Sequence, residues 1–508
     1  MIENNDTIAA ICTGMTGSGI NIIRISGSSA FEIAEKIFKS ISYKHISDMG
    51  NFSVNYGYIV DDIEEKKPDI DTFTDKLVTK NTDEPSIKDQ LKDSELDEKR
   101  IVDEVLLLKM KAPRSYTRED VIEIDCHGGI LVTKRILEVI LKNGARLAEP
   151  GEFTKRAYLN GRIDLSQAEA VIDIINSKSN LALKNSVRQL KGQIKDKIIN
   201  LRDKLISKTA YIEAALDDPE HISLEGFSDE LSTDIYNIRK ELEKLISSFD
   251  DGRILNEGIN TCILGLPNAG KSSLLNALLD EDRAIVTDIA GTTRDVLKET
   301  VSFGDVVLNI IDTAGIRDTK DIIEKIGVDK AKKEAENADL ILYVVDMNIG
   351  LTEKDNEILK ELEDKKIIVV YNKSDIALDI SDKITSIDSW NSDYSSSMKN
   401  DIGFENIVIS SLTHSGIDEL KEMIKKLFYS GRINQNEDII ITNERHKELL
   451  VSAKNSIDNV ISGIESEMSE DFLTIDMMDA YAALGKIIGE SVEDDLADRI
   501  FKDFCMGK

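Results

Sequence analysis

The pattern of apolar and polar positions divides the 508-residue chain into segments of different period. Near the N-terminus, Ile8–Ile11 and Ile20–Ile25 read as short strands, and residues 30–38 have the spacing of a helix. Two more strands are predicted at 102–109 and 121–126, the second alternating apolar residues with carboxylates. This mixture predicts an N-terminal α+β domain.

From about residue 130 the period becomes helical. Ser166-Gln-Ala-Glu169 has the form of a capping box that would begin a helix. Apolar residues then recur every three or four positions from Leu183 to Ile212, which predicts one long amphipathic helix in a bundle. The helical pattern returns at about 443–508, beyond a strand-rich segment. The order therefore predicts a helical domain that is interrupted by an inserted domain.

Residues 61–100 interrupt the N-terminal pattern. They hold 14 Asp or Glu and 8 Lys or Arg, with few large apolar residues. Such a segment cannot bury enough apolar surface to offset its ordering entropy, so we predict a flexible acidic surface insertion. A functional role for its acidic character is the alternative.

Charge and cysteine content narrow the class of protein. The formal net charge of −31 argues against diffuse electrostatic binding of nucleic acid, so any such role needs a local basic patch or a partner. The four cysteines are scattered without a C-x-x-C pair, which fits a reducing compartment. No apolar run of membrane-spanning length and no secretory signal is recognisable, so a cytoplasmic location is expected.

A phosphate-binding loop is encoded by Gly265-Leu-Pro-Asn-Ala-Gly-Lys-Ser272, which fits the G-x-x-x-x-G-K-[ST] motif. It follows the strand-like segment Ile259–Leu264 and precedes the helical segment Ser273–Leu279, the context that the motif requires. Glycines let backbone N–H groups wrap the phosphates. Lys271 can neutralise β- and γ-phosphate charge, and the Ser272 hydroxyl is suited to Mg²⁺.

Three more motifs follow in order along the chain. Gly291-Thr-Thr-Arg294 supplies Thr293 for Mg²⁺ and the γ-phosphate. Asp312-Thr-Ala-Gly315 supplies a carboxylate that can hold Mg²⁺ through water and an N–H that can sense the γ-phosphate. Asn372-Lys-Ser-Asp375 ends in a carboxylate that suits the two donors of guanine, and Ser410-Ser411 is expected to close the base pocket. Because adenine lacks that donor pair, the motifs predict GTP rather than ATP.

The predicted GTP-binding residues lie in these four motifs and in the loop before Gly291. They are Asn268, Ala269, Gly270, Lys271, Ser272, Ser273, Thr287, Asp288, Ile289, Ala290, Gly291, Thr292, Thr293, Asp312, Thr313, Ala314, Gly315, Asn372, Lys373, Asp375, Ser410 and Ser411. Ile316 follows them where small signalling GTPases carry a water-orienting glutamine. Isoleucine cannot polarise water, so another group must do so.

Together these residues resemble the tRNA-modification GTPase family MnmE, also called TrmE. Further matching segments are Ala112–Asp120, Cys126–Gly129, Pro150–Ala157, Leu159–Ala170, Thr287–Asp295 and Phe504–Lys508. The resemblance covers nearly the whole chain outside 61–100 and about 376–405. It implies an N-terminal α+β folate-binding and dimerisation domain (1–126), a helical bundle domain (127–258 and 431–508), and an inserted Ras-like P-loop GTPase domain (259–430) with a doubly wound, mostly parallel sheet.

The resemblance also implies a reaction and partners. A homodimer would act with the FAD-containing protein MnmG (GidA) in a heterotetramer on certain tRNAs. Together they would add an aminomethyl or carboxymethylaminomethyl group to C5 of the wobble uridine. The one-carbon unit would come from tetrahydrofolate, bound as the 5-formyl or 5,10-methylene form. The partner could carry much of the tRNA contact, which would ease the conflict with the acidic charge.

The resemblance also implies which residues of this chain act in catalysis. Besides Lys271, the water-orienting carboxylate of the family falls on Glu324, which by spacing alone would read as a solvated surface acid. A potassium ion would be held by Asn268, Thr287, Ile289 and Thr292, supplying the positive charge that an arginine finger gives elsewhere.

The folate contacts of the family fall on Arg24, Glu123, Arg162 and Lys508. Their chemistry suits the ligand, because a pterin presents paired donors to a carboxylate and the glutamate tail needs cations. The chain departs from the family at Thr13–Gly19, where the usual prolines and arginine of the turn are absent. Cys505 is either a buried inert thiol or a reactive thiol near the folate.

Two other functions stay open at this stage. One is a switch-type GTPase in RNA or ribosome assembly that modifies nothing. The other gives the N-terminal half only a dimerisation role.

Overall fold

The computed structural model describes residues 6–42, 45–61, 101–222, 227–281, 299–311, 335–362, 364–377, 404–429 and 439–490, together with Phe501, Phe504 and Gly507. The chain forms two compact units. Unit 1 comprises 1–169 and 489–508, and unit 2 comprises 170–488. None of the helices in the described ranges has both the length and the hydropathy to cross a bilayer.

Unit 1 is built on a seven-stranded sheet in the order β3-β4-β5-β6-β2-β1-β7. The strands are β1 (Ile8–Ile11), β2 (Ile20–Ser26), β3 (Phe38–Ser40), β4 (Ser53–Val60), β5 (Ile101–Met110), β6 (Val121–His127) and β7 (Arg146–Leu147). The helices are α1 (Ala30–Ile37), α2 (Ile130–Lys142), α3 (Glu152–Leu159) and α4 (Leu165–Asn176), of which α4 continues into unit 2. The strands and the helix predicted from residues 8–126 are confirmed within one or two residues.

The two faces of this sheet differ in what covers them. Helices α1 and α2 bury one face, where Ile23, Leu107 and Ile124 are fully enclosed. On the opposite face of the strands β4, β5 and β6, the side chains of Val54, Tyr56 and Leu106 are 57%, 47% and 42% exposed, and Tyr56 pairs directly with Leu106 across β4 and β5. We call this surface the open sheet face.

The end of the chain packs back onto unit 1. The rings of Phe501 and Phe504 lie 5.3 Å apart, and Phe501 also contacts Tyr158 of α3. Gly507 has a φ of 89° and packs so closely on the end of β1 that a Cβ would come within 2.3 Å of the Ile11 carbonyl oxygen. Gly507 is therefore held beside the end of β1.

In unit 2, the described helices are α5 (Asn180–Leu190), α6 (Gln193–Asp217), α7 (Phe227–Ser247), α8 (Phe249–Glu257), α9 (Lys271–Glu281), α10 (Glu353–Glu361), α11 (Ile417–Tyr429), α12 (Glu444–Glu465) and α13 (Glu470–Ile487). Helices α6, α7, α12 and α13 form a bundle around one apolar core. These helices come from both sides of the sheet-forming segment in the sequence. The predicted helical bundle is confirmed.

Two local predictions were wrong. The long helix is broken at Gly192, whose φ of 93° ends the pattern of α5 and begins α6. The predicted apolar stripe is therefore correct only in α6, because α5 turns Leu183 outward and buries small and polar residues instead.

The capping box that begins α4 was predicted two residues too late. The Asp164 carboxylate, not Ser166, accepts the Gln167 N–H over 3.0 Å, and the Gln167 side-chain oxygen accepts the Asp164 N–H over 3.0 Å. Ser166 Oγ instead donates to Asp164 Oδ1. A carboxylate is the stronger acceptor at a helix N-terminus, so the box forms around Asp164.

The second sheet in unit 2 has the order β13-β12-β11-β8-β10-β9. Its strands are β8 (Ile259–Leu264), β9 (Glu299–Phe303), β10 (Val306–Ile311), β11 (Leu340–Asp346), β12 (Lys366–Asn372) and β13 (Phe404–Val408). All neighbours are parallel except the β9–β10 pair. Apolar clusters lie on both faces of the sheet, so it is doubly wound as predicted.

Candidate functional site

The loop between β8 and α9 is shaped by close packing of backbone on its neighbours. Gly265 has a φ of 141°, and a Cβ there would lie 2.2 Å from the carbonyl oxygen of Val344. Gly270 has a φ of 100°, and a Cβ there would lie 2.2 Å from Asn372 Nδ2. Both glycines of the motif are therefore required by space as well as by backbone conformation.

Between the two glycines, Asn268 adopts a left-handed backbone with a φ of 64° and is exposed. Lys271 Nζ donates to the carbonyl oxygens of Gly265 and Leu266 over 2.8 and 3.0 Å. The ammonium group is thus held by its own loop. Ser272 and Ser273 are exposed in the first turn of α9, where helix N–H groups suit an anion.

Asn372 connects this loop to the other two motifs that the structure describes. Its Nδ2 donates to the carbonyl oxygens of Ala269 and Gly270 over 3.3 and 3.4 Å. Its Oδ1 accepts from the N–H and Oγ of Ser411, both over 3.0 Å, and from the Lys373 N–H over 2.8 Å. One buried side chain therefore fixes three segments relative to one another.

Lys373 makes a second connection. It is left-handed, with a φ of 68°, and its Nζ donates over 2.7 Å both to the Asn268 carbonyl oxygen and to Asp346 Oδ2. Burial opposes ionisation of Asp346, but the hydrogen bonds from Lys373 and the Asn348 N–H outweigh it and lower the pKa of that carboxyl. Asp346 is therefore a carboxylate at neutral pH.

The carboxylate of Asp375 is exposed beyond the end of β12. Its Oδ1 accepts from Ser410 Oγ over 2.6 Å, and the same oxygen of Ser410 accepts from the Thr413 N–H over 3.2 Å. This arrangement fixes one carboxylate oxygen of Asp375 and joins the Asp375 segment to the Ser410 segment.

Most of the described GTP-binding predictions thus meet at the carboxyl ends of β8, β12 and β13, where ligands bind in open α/β sheets. Asp346 was not predicted, although a carboxylate that ends a buried parallel strand beside Asn372 is a recognisable signal. The remaining predicted residues lie outside the described ranges: Thr287, Asp288, Ile289, Ala290, Gly291, Thr292, Thr293, Asp312, Thr313, Ala314, Gly315, Glu324, Cys505, Lys508 and the insertion beyond Asp61.

A second site lies in unit 1, on the same face of the sheet as the open sheet face. Arg24 on β2 and Glu123 on β6 are direct cross-strand partners, and Arg24 Nε and Nη2 both lie 2.7 Å from Glu123 Oε1. Arg24 Nη1 is buried without a hydrogen-bond partner among the described residues. A buried guanidinium N–H without an acceptor is costly and marks a place where a ligand acceptor would fit.

Tyr116 brings Arg162 to this pair. The guanidinium carbons of Arg24 and Arg162 lie 4.9 and 4.5 Å from the centre of the Tyr116 ring, and Arg162 Nη1 donates to the Tyr116 carbonyl oxygen over 3.0 Å. The Tyr116 hydroxyl is hydrogen-bonded to Thr154 Oγ1. Two of the four predicted folate residues, Arg24 and Arg162, therefore lie against one aromatic ring, and a third, Glu123, is bonded to Arg24. Tyr116 itself was missed, although it lies in a segment that resembles the family.

A partly buried charge network joins α3 to the segment that follows Tyr116. Arg156 is bonded to Asp6, Glu119 and Glu152, and Arg146 also bonds Asp6 and Glu152. Burial opposes ionisation of Asp6 and Glu152, but hydrogen bonds from the two arginines lower the pKa of both carboxyls. The pKa of Arg156 is raised, because its carboxylate partners outweigh its burial.

Comparison with known proteins covers both units. A family model described as the MnmE helical domain matches residues 165–505, and one described as the GTP-binding protein TrmE N-terminus matches residues 7–162. A protein of Lachnoclostridium phytofermentans named tRNA modification GTPase MnmE is 51% identical over 504 residues, covering 99% of each chain. A protein of the same name from Clostridioides difficile is 44% identical over 509 residues, with 99% of each chain covered.

Solved structures resemble smaller parts of the chain. Translation elongation factor SelB from Methanococcus maripaludis is 24% identical, with a TM-score of 0.27 and 36% of each chain covered. The G domain of the iron transporter FeoB from T. maritima is 25% identical, with a TM-score of 0.22; 33% of this chain and 98% of that domain are covered.

Proposed function

Because the chain belongs to the tRNA modification GTPase MnmE family, we propose that it uses GTP hydrolysis to modify the wobble uridine of certain tRNAs. With an FAD-containing partner, MnmG, it adds an aminomethyl or carboxymethylaminomethyl group at C5. Tetrahydrofolate, as its 5-formyl or 5,10-methylene form, is the one-carbon carrier. The observation that carries the proposal is the coexistence, in one chain, of the Asn372-centred nucleotide site and the arginine–glutamate site around Tyr116.

The nucleotide site is suited to GTP by its donor and acceptor set. Gly265 and Gly270 let the loop pack directly on Val344 and Asn372, which fixes the backbone whose N–H groups would hold the phosphates. Lys271 neutralises phosphate charge, and Asp375 accepts from the guanine N1 and N2 donors. Asn372 and Lys373 hold the loop and the base-binding segment in one arrangement before the nucleotide arrives, which reduces the ordering cost of binding.

Two metal ions complete the proposed site. Ser272 and Thr293 would hold Mg²⁺, with Asp312 acting through water. Asn268, Thr287, Ile289 and Thr292 would hold K⁺, whose charge stabilises the transferring phosphoryl group. The exposed, left-handed Asn268 supports this assignment, because its amide oxygen is available at the edge of the loop. Oxygen ligands of this kind suit hard cations.

Hydrolysis needs a group that orients the attacking water. Ile316 cannot do so, and Glu324 is the proposed residue. A carboxylate that accepts a proton from water, or holds it in line, acts on the transition state rather than on the bound nucleotide.

The folate site is supported by the unsatisfied Arg24 Nη1 and by its neighbours. Glu123 would accept from the pterin, while Arg162 and Lys508 would bind the glutamate tail. Gly507 packs against the end of β1, next to the strand that carries Arg24. This contact favours a role in the same site for Lys508, which follows Gly507 in the sequence.

Dimerisation is supported by the open sheet face. An apolar patch made of Val54, Tyr56 and Leu106 marks an interaction surface, and a second copy of the chain is the proposed occupant. The two subunits of this homodimer would join two copies of MnmG in a heterotetramer. The mass of the purified protein in solution, measured with and without MnmG, tests both assemblies.

The function itself is tested in cells that lack the protein. Mass analysis of their tRNA is expected to show wobble uridines without the C5 substituent, restored by the parent gene but not by the Lys271→Ala or Arg24→Ala genes. Unchanged wobble uridines in the deletion strain would favour the alternative, a switch-type GTPase in RNA or ribosome assembly. If the Arg24→Ala gene restores the C5 substituent and the Lys271→Ala gene does not, the folate site is not needed for the modification.

A further inference from the structure

Beside the arginine–glutamate site of unit 1, the segments around Tyr116 and Arg162 are cross-linked by side chains. Arg162 Nη1 donates to the Tyr116 carbonyl oxygen over 3.0 Å. In the opposite direction, Arg118 Nη1 donates to the Asn160 carbonyl oxygen over 2.8 Å, and Asn160 Nδ2 donates to the Thr117 carbonyl oxygen over 2.7 Å. The two arginines are therefore anchored to the same pair of segments.

Arg118 lies on the surface close to Arg162. Its guanidinium group faces Gly161, since a Cβ added there would lie 3.5 Å from Arg118 Nη1. Both arginines are exposed, whereas Arg24, which shares the Tyr116 ring with Arg162, has a side chain that is only 14% exposed. The cations of this region therefore extend from an enclosed one, paired with a glutamate, to two exposed ones.

The two exposed arginines form no ion pair within the part of the chain that the structure describes. There, each donates one hydrogen bond, to a backbone carbonyl oxygen, although a guanidinium carries five N–H donors. The carboxylates that follow Arg118 in the sequence are engaged elsewhere, Glu119 with Arg156 and Asp120 with the Ala112 N–H. Most N–H donors of both arginines are therefore available to a ligand at the surface.

The backbone of Arg118 adds a second observation. Its φ is 62°, in the left-handed region, which is uncommon for a residue with a side chain and costs free energy that glycine would not lose. A cost of this kind at an exposed position points to a use for the side chain. The use must explain why a cation, and not only a turn, is placed beside Arg162.

We propose that Arg118 binds the second glutamate of a folate with a γ-linked oligoglutamate tail, so that the chain prefers such folates to the monoglutamate. This assignment rests on the proposed function, in which Arg162 binds the first glutamate. Each further γ-linked residue adds one carboxylate, and the planar N–H pairs of a guanidinium match the two oxygens of a carboxylate. Because both arginines are anchored to the same segments, a tail bound by Arg162 can place its next carboxylate against Arg118.

Two single variants with the same charge change test the proposal. Arg118→Gln removes the proposed contact, and Arg114→Gln removes another exposed cation of the same loop. The Arg114 guanidinium carbon lies 5.8 Å from the centre of the Phe52 ring, just before β4, and β5 and β6 separate β4 from the strand that carries Arg24. Arg114 is therefore a control for the general effect of charge.

Two further variants separate the charge of Arg118 from its backbone. Arg118→Lys keeps a cation, and Arg118→Gly suits the left-handed conformation but carries no charge. Calorimetry on the full chain measures the Kd of each variant for 5-formyltetrahydrofolate with one glutamate and with three. Thermal unfolding shows that each variant is folded.

The parent is expected to bind the triglutamate about fivefold more tightly than the monoglutamate, the upper size of an exposed ion pair. In Arg118→Gln and Arg118→Gly the two ligands should bind within about twofold of each other, with monoglutamate affinity within about twofold of the parent. Arg118→Lys should still prefer the triglutamate, and Arg114→Gln should keep the ratio of the parent.

Equal binding of the two ligands by the parent would overturn the inference. So would an equal weakening of both ligands in Arg118→Gln, because it would give Arg118 a structural role only, or the same loss of preference in Arg114→Gln, because it would show a general effect of charge. An Arg118→Gln protein that keeps the preference but binds a tRNA transcript more weakly would assign this arginine to RNA phosphates instead.

Monoglutamate binding separates this inference from the function on which it rests. If the parent binds the monoglutamate and does not prefer the triglutamate, the inference fails and the folate site stands. If the parent binds neither ligand, the folate site fails as well. The mass analysis of wobble uridines is independent of both results.

Discussion

Lys373 Nζ lies 2.7 Å from the carbonyl oxygen of Asn268 and 2.7 Å from the carboxylate of Asp346. The side chain thus joins the base-binding segment to the phosphate loop, and Asp346 holds it in that position. Both Asn268 and Lys373 have left-handed backbones, which are uncommon for non-glycine residues and cost a lysine more than an asparagine. The contact between the two is therefore part of what maintains the nucleotide site.

Replacing Asp346 is expected to weaken GDP and GTP alike. In Asp346→Ala, Lys373 loses its charged partner, and a charge-assisted hydrogen bond is worth about 1.5–3 kcal/mol, or roughly tenfold or more in affinity. Single-turnover hydrolysis of bound GTP should stay within about threefold of the parent, because the lost interaction is uniform between ground and transition states. Asp346→Asn, which keeps an acceptor oxygen, should lose less. An unchanged Kd in Asp346→Ala would mean that Asn268 alone positions Lys373.

The Asp375→Asn protein is expected to change its base preference from guanine to xanthine. Ser410 Oγ already binds Oδ1 of Asp375, so the asparagine would keep its oxygen there and present its amide donor to the base. Guanine carries a donor at that position and xanthine an acceptor. We expect a loss of roughly 100-fold or more for GTP, since a mispaired polar group is strongly rejected. Competition binding with GTP and XTP measures it, with Ser410→Ala as the control that should retain the guanine preference.

The sequence predicted the strands of the GTPase sheet, but not the hydrogen bonds that hold its loops together. The strands ending at Leu264, Ile311 and Asn372 could be placed because parallel strands buried on both faces are continuous apolar runs. The role of Asn372 as a junction could not, because it depends on backbone oxygens of Ala269 and Gly270 about a hundred residues away. The residue type and its neighbours in the sequence do not reveal hydrogen bonds to segments that are distant in the sequence.

Helix boundaries illustrate a different limit. Ser166 and Asp164 are both good capping residues, and only the hydrogen bonds of Gln167 decide between them. Gly192 ends a helix because of its left-handed backbone, whereas the apolar period on either side continues closely enough to suggest one element. Periodicity identifies that helices exist, but it is insensitive to a single break.

Glu324→Ala is expected to lower GTP turnover about 10²–10⁴-fold, the usual contribution of a positioned acid–base group. Affinity for a non-hydrolysable GTP analogue should be nearly unchanged, because Lys271 and the loop amides hold the ground-state phosphates. Hydrolysis by the parent protein should also require K⁺ and be slow in Na⁺ at equal ionic strength. Single-turnover assays in the two salts measure both effects. If turnover of Glu324→Ala stays within about threefold of the parent, Glu324 is a solvated surface acid without a catalytic role.

Acid should weaken unit 1 through the network around Arg156. The pKa values of Asp6 and Glu152 are lowered in the folded chain, so the unfolded chain takes up protons first as pH falls. Their contribution is present above the unfolded pKa values of about 4 and is lost as pH falls through the lower folded values. Arg156→Met should cost about 3 kcal/mol at pH 7, because it removes the buried guanidinium from Glu119 and leaves Glu152 and Asp6 with Arg146 alone.

That cost should shrink as the pH approaches 4, where the stranded carboxyls are protonated. Urea unfolding followed by circular dichroism at pH 7 and pH 4 gives the two differences. The double variant Arg156→Met/Glu152→Gln is the control, since it removes one buried charge together with its partner. A difference between Arg156→Met and the parent that is independent of pH would contradict this account.

Tyr116 is expected to position both arginines of the folate site. Its ring lies against the guanidinium groups of Arg24 and Arg162, and cation–π contacts of this kind are worth about 0.5–2 kcal/mol each. Tyr116→Leu should therefore weaken 5-formyltetrahydrofolate about tenfold or more, measured by calorimetry. Tyr116→Phe keeps the ring and loses only the hydroxyl bond to Thr154, so it should bind nearly as the parent does.

Binding of a pterin that lacks the glutamate tail distinguishes the roles of the two arginines. If Arg162 binds the tail, Tyr116→Leu should reduce the difference in affinity between the full ligand and the pterin. A merely structural role would weaken both ligands equally, and equal binding by Tyr116→Leu and the parent would show that the arginines are held without the ring.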